Sequence, residues 1–150
     1  MKRSKRIQSI VDIKAQQENQ ALKEVAEQQQ KTYAAQQQLE HLEQYRQGYL
    51  DRDKAGGAQR VSALLEFRAF IAKLDQAIIG QMDVIRQLDI ELQRKRKHWE
   101  SLHQNTKNLQ KVCNGMVAAE LKIANKREQL ESDDRAARMA QQNFGGMNND

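Results

Sequence analysis

Apolar residues recur along this chain with one spacing, alternating steps of three and four, and the polar residues fill the positions between. From Ile7 these steps lead through Val11, Ala21, Val25, Ala35, Leu39 and Leu42 to Tyr49, and eight of the 13 positions on that line are apolar. From Leu64 they lead to Ala137, with 16 of 22 positions apolar and the register kept for about ten heptads without a stutter. Such spacing holds one stripe of a helix against a partner helix. It predicts two long helices. The seam of the first is the weaker, because Lys14, Glu18, Gln28, Thr32 and Arg46 also lie on it. Alanines at 21 and 35 allow close approach.

Between the two lines stands "DRDKAGGAQR", residues 51–60. Continuing the first register through it arrives at Phe67, so phase alone does not separate a bent chain from an unbroken rod. The residues decide instead. Adjacent Gly56 and Gly57 inside a helix cost about 2 kcal/mol relative to alanine. Gly56 is suited to the left-handed conformation that ends a helix, and a short connection favours antiparallel neighbours. The expected fold class is therefore all-α: an antiparallel two-helix coiled coil, a helical hairpin with unequal arms, in one domain over 1–150. Helix one is expected over about 3–54, the turn over 55–58 and helix two over 59–140. A frayed tail is expected at 141–150. At 1.5 Å per residue the arms are roughly 75 Å and 120 Å long. Folding about residue 56 sets Tyr49 near Ala63, Leu39 near Lys73 or Leu74, Val25 near Leu88 and Ile7 near Asn105. It leaves helix two unpartnered after about residue 107.

Composition agrees with this and narrows the function. There is no proline, aromatic residues are 5% and charged residues 30%, a balance that suits a coiled coil better than a compact globule. The net charge is +5 but is spread along the chain: 11 basic and 8 acidic residues over 1–60, 7 and 6 over 61–100, and 7 and 6 over 101–150. Two basic clusters stand out, Lys2-Arg3-Lys5-Arg6 and Arg94-Lys95-Arg96-Lys97. The second winds around a helix rather than facing one way, so no nucleic-acid partner is expected. The single cysteine, Cys113, excludes an intrachain disulfide and falls on the seam as a small buried thiol. No apolar run is long enough to span a membrane. Polar residues break up the sequence behind the basic N-terminus, so no secretory signal is expected, and the default location is the cytoplasm.

Catalytic and metal motifs are missing from this reading. "AGG" has neither the Lys-Ser/Thr partner nor the preceding strand of a phosphate-binding loop. His98 and His103, five apart, do not make metal-ligand spacing with Cys113. Carboxylates alternate with lysines at helical distances, as in "ELKIANKREQLE", which is a solvated face. A two-helix hairpin builds no water-excluding pocket easily. No enzyme, no metal and no cofactor is expected. The informative excess is apolar: Val61, Leu65, Phe70, Ile79, Met82, Val84 and Ile90 all lie off the seam. Either helix one folds over them in a thicker core, or they form a docking surface for a protein partner. Phe70, Leu74, Ala77 and Gln81 share one stripe at the flank of the seam, with Leu74 also on it.

Three landmarks resemble the flagellar export protein family FliJ. They are the paired-tyrosine segment "LEHLEQYRQGYLD", the segment "LLEFRAFIAKLDQAI" after the break, and "KHW" beyond the apolar region. Length, glycine break and unequal arms agree with it, so the resemblance covers nearly the whole chain. It implies an antiparallel two-helix coiled coil like the terminal helices of the rotary ATP synthase gamma subunit. It further implies a non-catalytic stalk or escort in the type III export apparatus at the flagellar base, peripheral at the inner face of the cell membrane. The implied partners are the hexameric export ATPase, the cytoplasmic domain of the export gate, and export chaperones. The family's gate contact, an aromatic, a leucine, an alanine and a polar residue on the second helix, corresponds to Phe70, Leu74, Ala77 and Gln81. The seam residues of the unpartnered end, Met116, Ile123 and Leu130, are the candidates for contact with the ATPase ring. Two other functions compete with this one: a general coiled-coil chaperone or adaptor that binds many clients, and a basic nucleic-acid clamp with steep salt dependence.

Overall fold

The computed structural model describes residues 2–56 and 60–147. It contains two α-helices, α1 (Arg3–Gly56, 54 residues) and α2 (Val61–Met147, 87 residues), and no strand among the described residues. The helices pack antiparallel along their seams, as the hairpin with unequal arms requires. The chain divides into two units. One holds residues 16–103, the other 1–15 together with 104–150.

In the first unit the antiparallel pairing is written in cross-helix bonds. The Gln28 amide donates to the Leu88 carbonyl (3.2 Å), the Gln81 amide donates to the Ala35 carbonyl (2.9 Å), and Arg46 pairs with Asp75 (2.6 Å). Ala21, Val25, Ala35, Leu74, Ile78 and Leu92 supply the buried apolar contacts. The polar seam positions are thus ties between the helices. Gln28 and Thr32 are buried, and Thr32 turns its hydroxyl back to the Gln28 carbonyl (3.0 Å). Gln28 and Thr32 thus have the partners that burial demands, whereas the buried Trp99 indole N–H has none among the described residues.

In the second unit Val11 and Cys113 are the buried core. The Cys113 thiol, 1% exposed, lies 3.5 Å from the Ser4 carbonyl and 3.4 Å from Gln8 Oε1. The Glu120 carboxylate accepts the Ser4 hydroxyl (2.6 Å) and the Ser4 backbone N–H (3.3 Å). That N–H is one of the donors a helix start leaves without an intrahelical partner.

Every seam position from Leu64 to Glu120 is buried or half-buried, and so is every one from Ile7 to Tyr49. The register differs from the expected one. Tyr49 lies against Phe70 rather than Ala63, Leu88 receives Gln28 rather than Val25, and Gln8 reaches Gln110 (3.4 Å). The cause is at the break. α1 continues through Gly56 instead of ending before it, and α2 begins at Val61, with the Leu64 N–H bonded to the Arg60 carbonyl (2.9 Å). Gly57, part of the expected turn, lies outside the described residues. The shift carries the pairing of α2 with α1 past residue 107, through Gln110 and Cys113 to Glu120. From Leu121 to Gly146 all residues are exposed. At its far end α2 extends beyond residue 140 to Met147.

Candidate interaction surfaces

The apolar excess of α2 stays on the surface. Val61, Leu65, Ile79, Met82, Val84 and Ile90 are all exposed, so α1 does not fold over them, and the thicker-core alternative fails. Phe70 is half-buried at the head of this region. Its ring centroid lies 4.7 Å from that of Tyr49 and 6.3 Å from that of Tyr45. The two tyrosine hydroxyls are 3.2 Å apart, and Arg52 stands over the Tyr49 ring at 5.3 Å. The hydrogen bond to Tyr49, with a smaller effect of burial, raises the Tyr45 pKa. The aromatic cluster therefore fixes the Phe70 ring from the α1 side.

The four residues of the candidate gate row divide by this geometry. Leu74, at 8% exposure, is part of the buried seam. Gln81 spends its amide on the Ala35 carbonyl. Phe70 and Ala77 remain on the flank, and Val84, 47% exposed, continues their line one heptad further. Periodicity alone did not single out Val84 as part of this row, although its heptad relation to Ala77 was the available signal. The three candidates at the other end also divide. Met116 is half-buried beside the α1 seam, whereas Ile123 and Leu130 are 63% and 62% exposed.

The remaining polar clusters are engaged locally. Arg94 forks onto Glu91 (3.0 and 2.5 Å), which holds the Glu91 carboxyl below its usual range. Arg86 pairs with Asp83 (2.9 Å). These two acids line an open groove of about 620 Å³ between the helices together with Gln28, Lys31 and Leu88. His103 stacks on Trp99 with ring centroids 5.1 Å apart, and its Nδ1 lies 2.5 Å from Glu18 Oε1. His98 takes no part in that cluster, although both histidines lie on the same helix. Among the described residues no group of three His, Cys, Asp or Glu side chains is arranged to hold a metal ion. No described helix is long and apolar enough to cross a membrane.

The two described helices with their exposed apolar flank and bare helical end define an all-α, two-helix antiparallel coiled coil. A family model described as Flagellar FliJ protein matches residues 3–144, and the chain belongs to that family, a component of the flagellar protein export apparatus. Comparison with curated proteins and with solved structures gave no match.

Proposed function

We propose that this chain is a non-catalytic stalk that links the export ATPase ring to the export gate and assists export chaperones at the inner face of the membrane. The observation that carries this reading is the uncovered apolar flank of α2 on a helix pair stiffened by cross-helix ties. A rigid rod with an apolar row on one side suits a partner's groove. The gate contact is assigned to the row that contains Phe70, Leu74, Ala77 and Gln81. Phe70 and Ala77 make the direct contact there, while Leu74 and Gln81 hold the row in place. The far part of α2, through Met116 at the edge of the paired region and Ile123 and Leu130 on the bare segment, is assigned to the ATPase ring.

The test separates docking from folding. Phe70→Ala together with Ala77→Asp should leave the circular dichroism of the chain unchanged. It should weaken binding to the purified cytoplasmic domain of the export gate by about a hundredfold, the scale of losing a central contact. Leu74→Ala, by contrast, should cost about 2–4 kcal/mol of stability because it empties a buried site. Gate affinity that survives the Phe70/Ala77 pair would remove the assignment.

A further inference from the structure

The seam of α2 outlasts its cover. Within the unit formed by residues 1–15 and 104–150, α1 holds that seam as far as Glu120, where Ser4 is bonded. The heptad spacing then continues through Ile123, Arg127, Leu130, Asp134 and Ala137, on a segment where every residue from Leu121 to Gly146 is exposed. An apolar stripe at this spacing is one half of a coiled coil. A helix owes most of its stability to the packing such a stripe receives.

The charges on the segment say what completes it. Lys126 and Arg127 stand before Leu130, and Asp133 and Asp134 stand after it. None of the ion pairs among the described residues involves them. Arg127 and Asp134 lie on the stripe itself. Lys126 and Asp133 each precede one of these two, so they share a flank. A second copy turned end over end about Leu130 brings Ile123 level with Ala137 and Leu130 level with itself. It also brings Lys126 and Arg127 level with the second copy's Asp133 and Asp134, and the two-fold symmetry repeats the match. Glu131 meets its own counterpart on the other flank, which is the cost of this arrangement. A parallel pair in register would instead oppose Arg127 to Arg127 and Asp134 to Asp134 within the seam, where like charges are most unfavourable. The end-over-end arrangement also continues an interface already present. α1 runs antiparallel to α2, and the second copy's segment would follow the same direction along the same seam.

We infer that two copies of this chain pair antiparallel through residues 121–139, each completing the other's seam. The pairing stops near Ala140, which comes level with Glu120, where α1 already holds the seam. The overlap is about five turns long and smaller than a standard interface, so the dissociation constant is on the order of 100 µM. Dilute chain is therefore single. Pairing covers Ile123 and Leu130, the residues assigned to the ATPase ring, so ring and second copy compete for them. The pairing itself does not depend on that assignment.

The experiment is sedimentation equilibrium of the full chain alone, from about 10 µM to about 1 mM. The mass should rise with concentration from 17.4 kDa toward twice that value. Lys126→Glu/Arg127→Glu and Asp133→Lys/Asp134→Lys should each weaken self-association about tenfold or more. An equimolar mixture of the two variants should restore it, because each carries the charges the other lacks. Orientation is read by treating a mixture of Ile123→Cys and Ala137→Cys chains with a short thiol cross-linker, Cys113 being buried in both. The links should join position 123 of one variant to position 137 of the other. A single mass at every concentration overturns the inference and leaves the ring reading untouched, since no ATPase is present. A mixture that fails to restore pairing overturns it as well. Links of 123 to 123 assign a parallel pair, and self-association that ignores both charge reversals assigns the apolar flank of α2. Either result removes the antiparallel pairing.

Discussion

Ser4 and Glu120 show how single residues finish a helix that lacks its own cap. α1 has no carboxylate in its first turn, and α2 supplies one from across the seam. The Ser4 hydroxyl is the main cause that holds the Glu120 carboxyl below its usual pKa. The Ser4 backbone N–H and the Lys2 charge add to it, and desolvation opposes it. A carboxylate with a depressed folded-state pKa stabilises the fold fully above the ordinary glutamate value of about 4.3 and loses that effect as pH falls through the lowered value. Amide exchange over the first turns of α1, corrected for intrinsic rates, should therefore accelerate as the pH falls below about 4. In Glu120→Gln it should already be fast at neutral pH and show little further change in that window. Equal pH dependence in wild type and variant would show that the carboxylate does not hold the helix start.

Each helix is held by its seam more than by its intrinsic propensity, and the glycines offer a way to measure the difference. Gly80 and Gly115 lie inside α2, and a Cβ added at either meets nothing within 4 Å. Gly80→Ala and Gly115→Ala should each add about 0.5–1 kcal/mol to stability in urea unfolding by lowering the entropy lost on folding. A loss of stability at either site would mean that the helix is not regular there. The positions of the seams were legible in the sequence because a heptad states which face is covered, and Ile7–Tyr49 and Leu64–Glu120 are the covered positions. The alignment of one seam on the other was not legible. It depends on how many residues the reversal uses, and Gly56 remained in α1 where glycine propensity suggested a stop. For the same reason the roles of Gln28, Arg46 and Gln81 were hidden. They read as flaws in an apolar line, and only the true register shows that each finds a partner across the seam.

At the scale of the whole chain, the surfaces differ in how much of them a linear reading reveals. The apolar flank of α2 was legible, because Ile79, Val84 and Ile90 lie off the seam by spacing alone. The burial of Leu74 was implied by the seam but competed with its place on the flank row. The charge blocks of the bare segment cancel in counts taken over 101–150, and their order gains meaning only once that segment is known to be uncovered. This division of labour leads to a truncation. No α1 residue covers α2 beyond the cleft of Lys2, Ile123, Ala124 and Arg127, and residues 128–146 are exposed throughout. Removing 128–150 should therefore lower the helical signal in proportion to the residues lost, yet move the unfolding midpoint by no more than about 2 °C, since little buried surface goes with them. Gate binding should be unaffected, while ring binding should fall with the loss of Leu130. A midpoint lowered by about 5 °C or more would show that this bare segment contributes packing of its own. Unchanged ring binding would confine the contact to Met116 and Ile123.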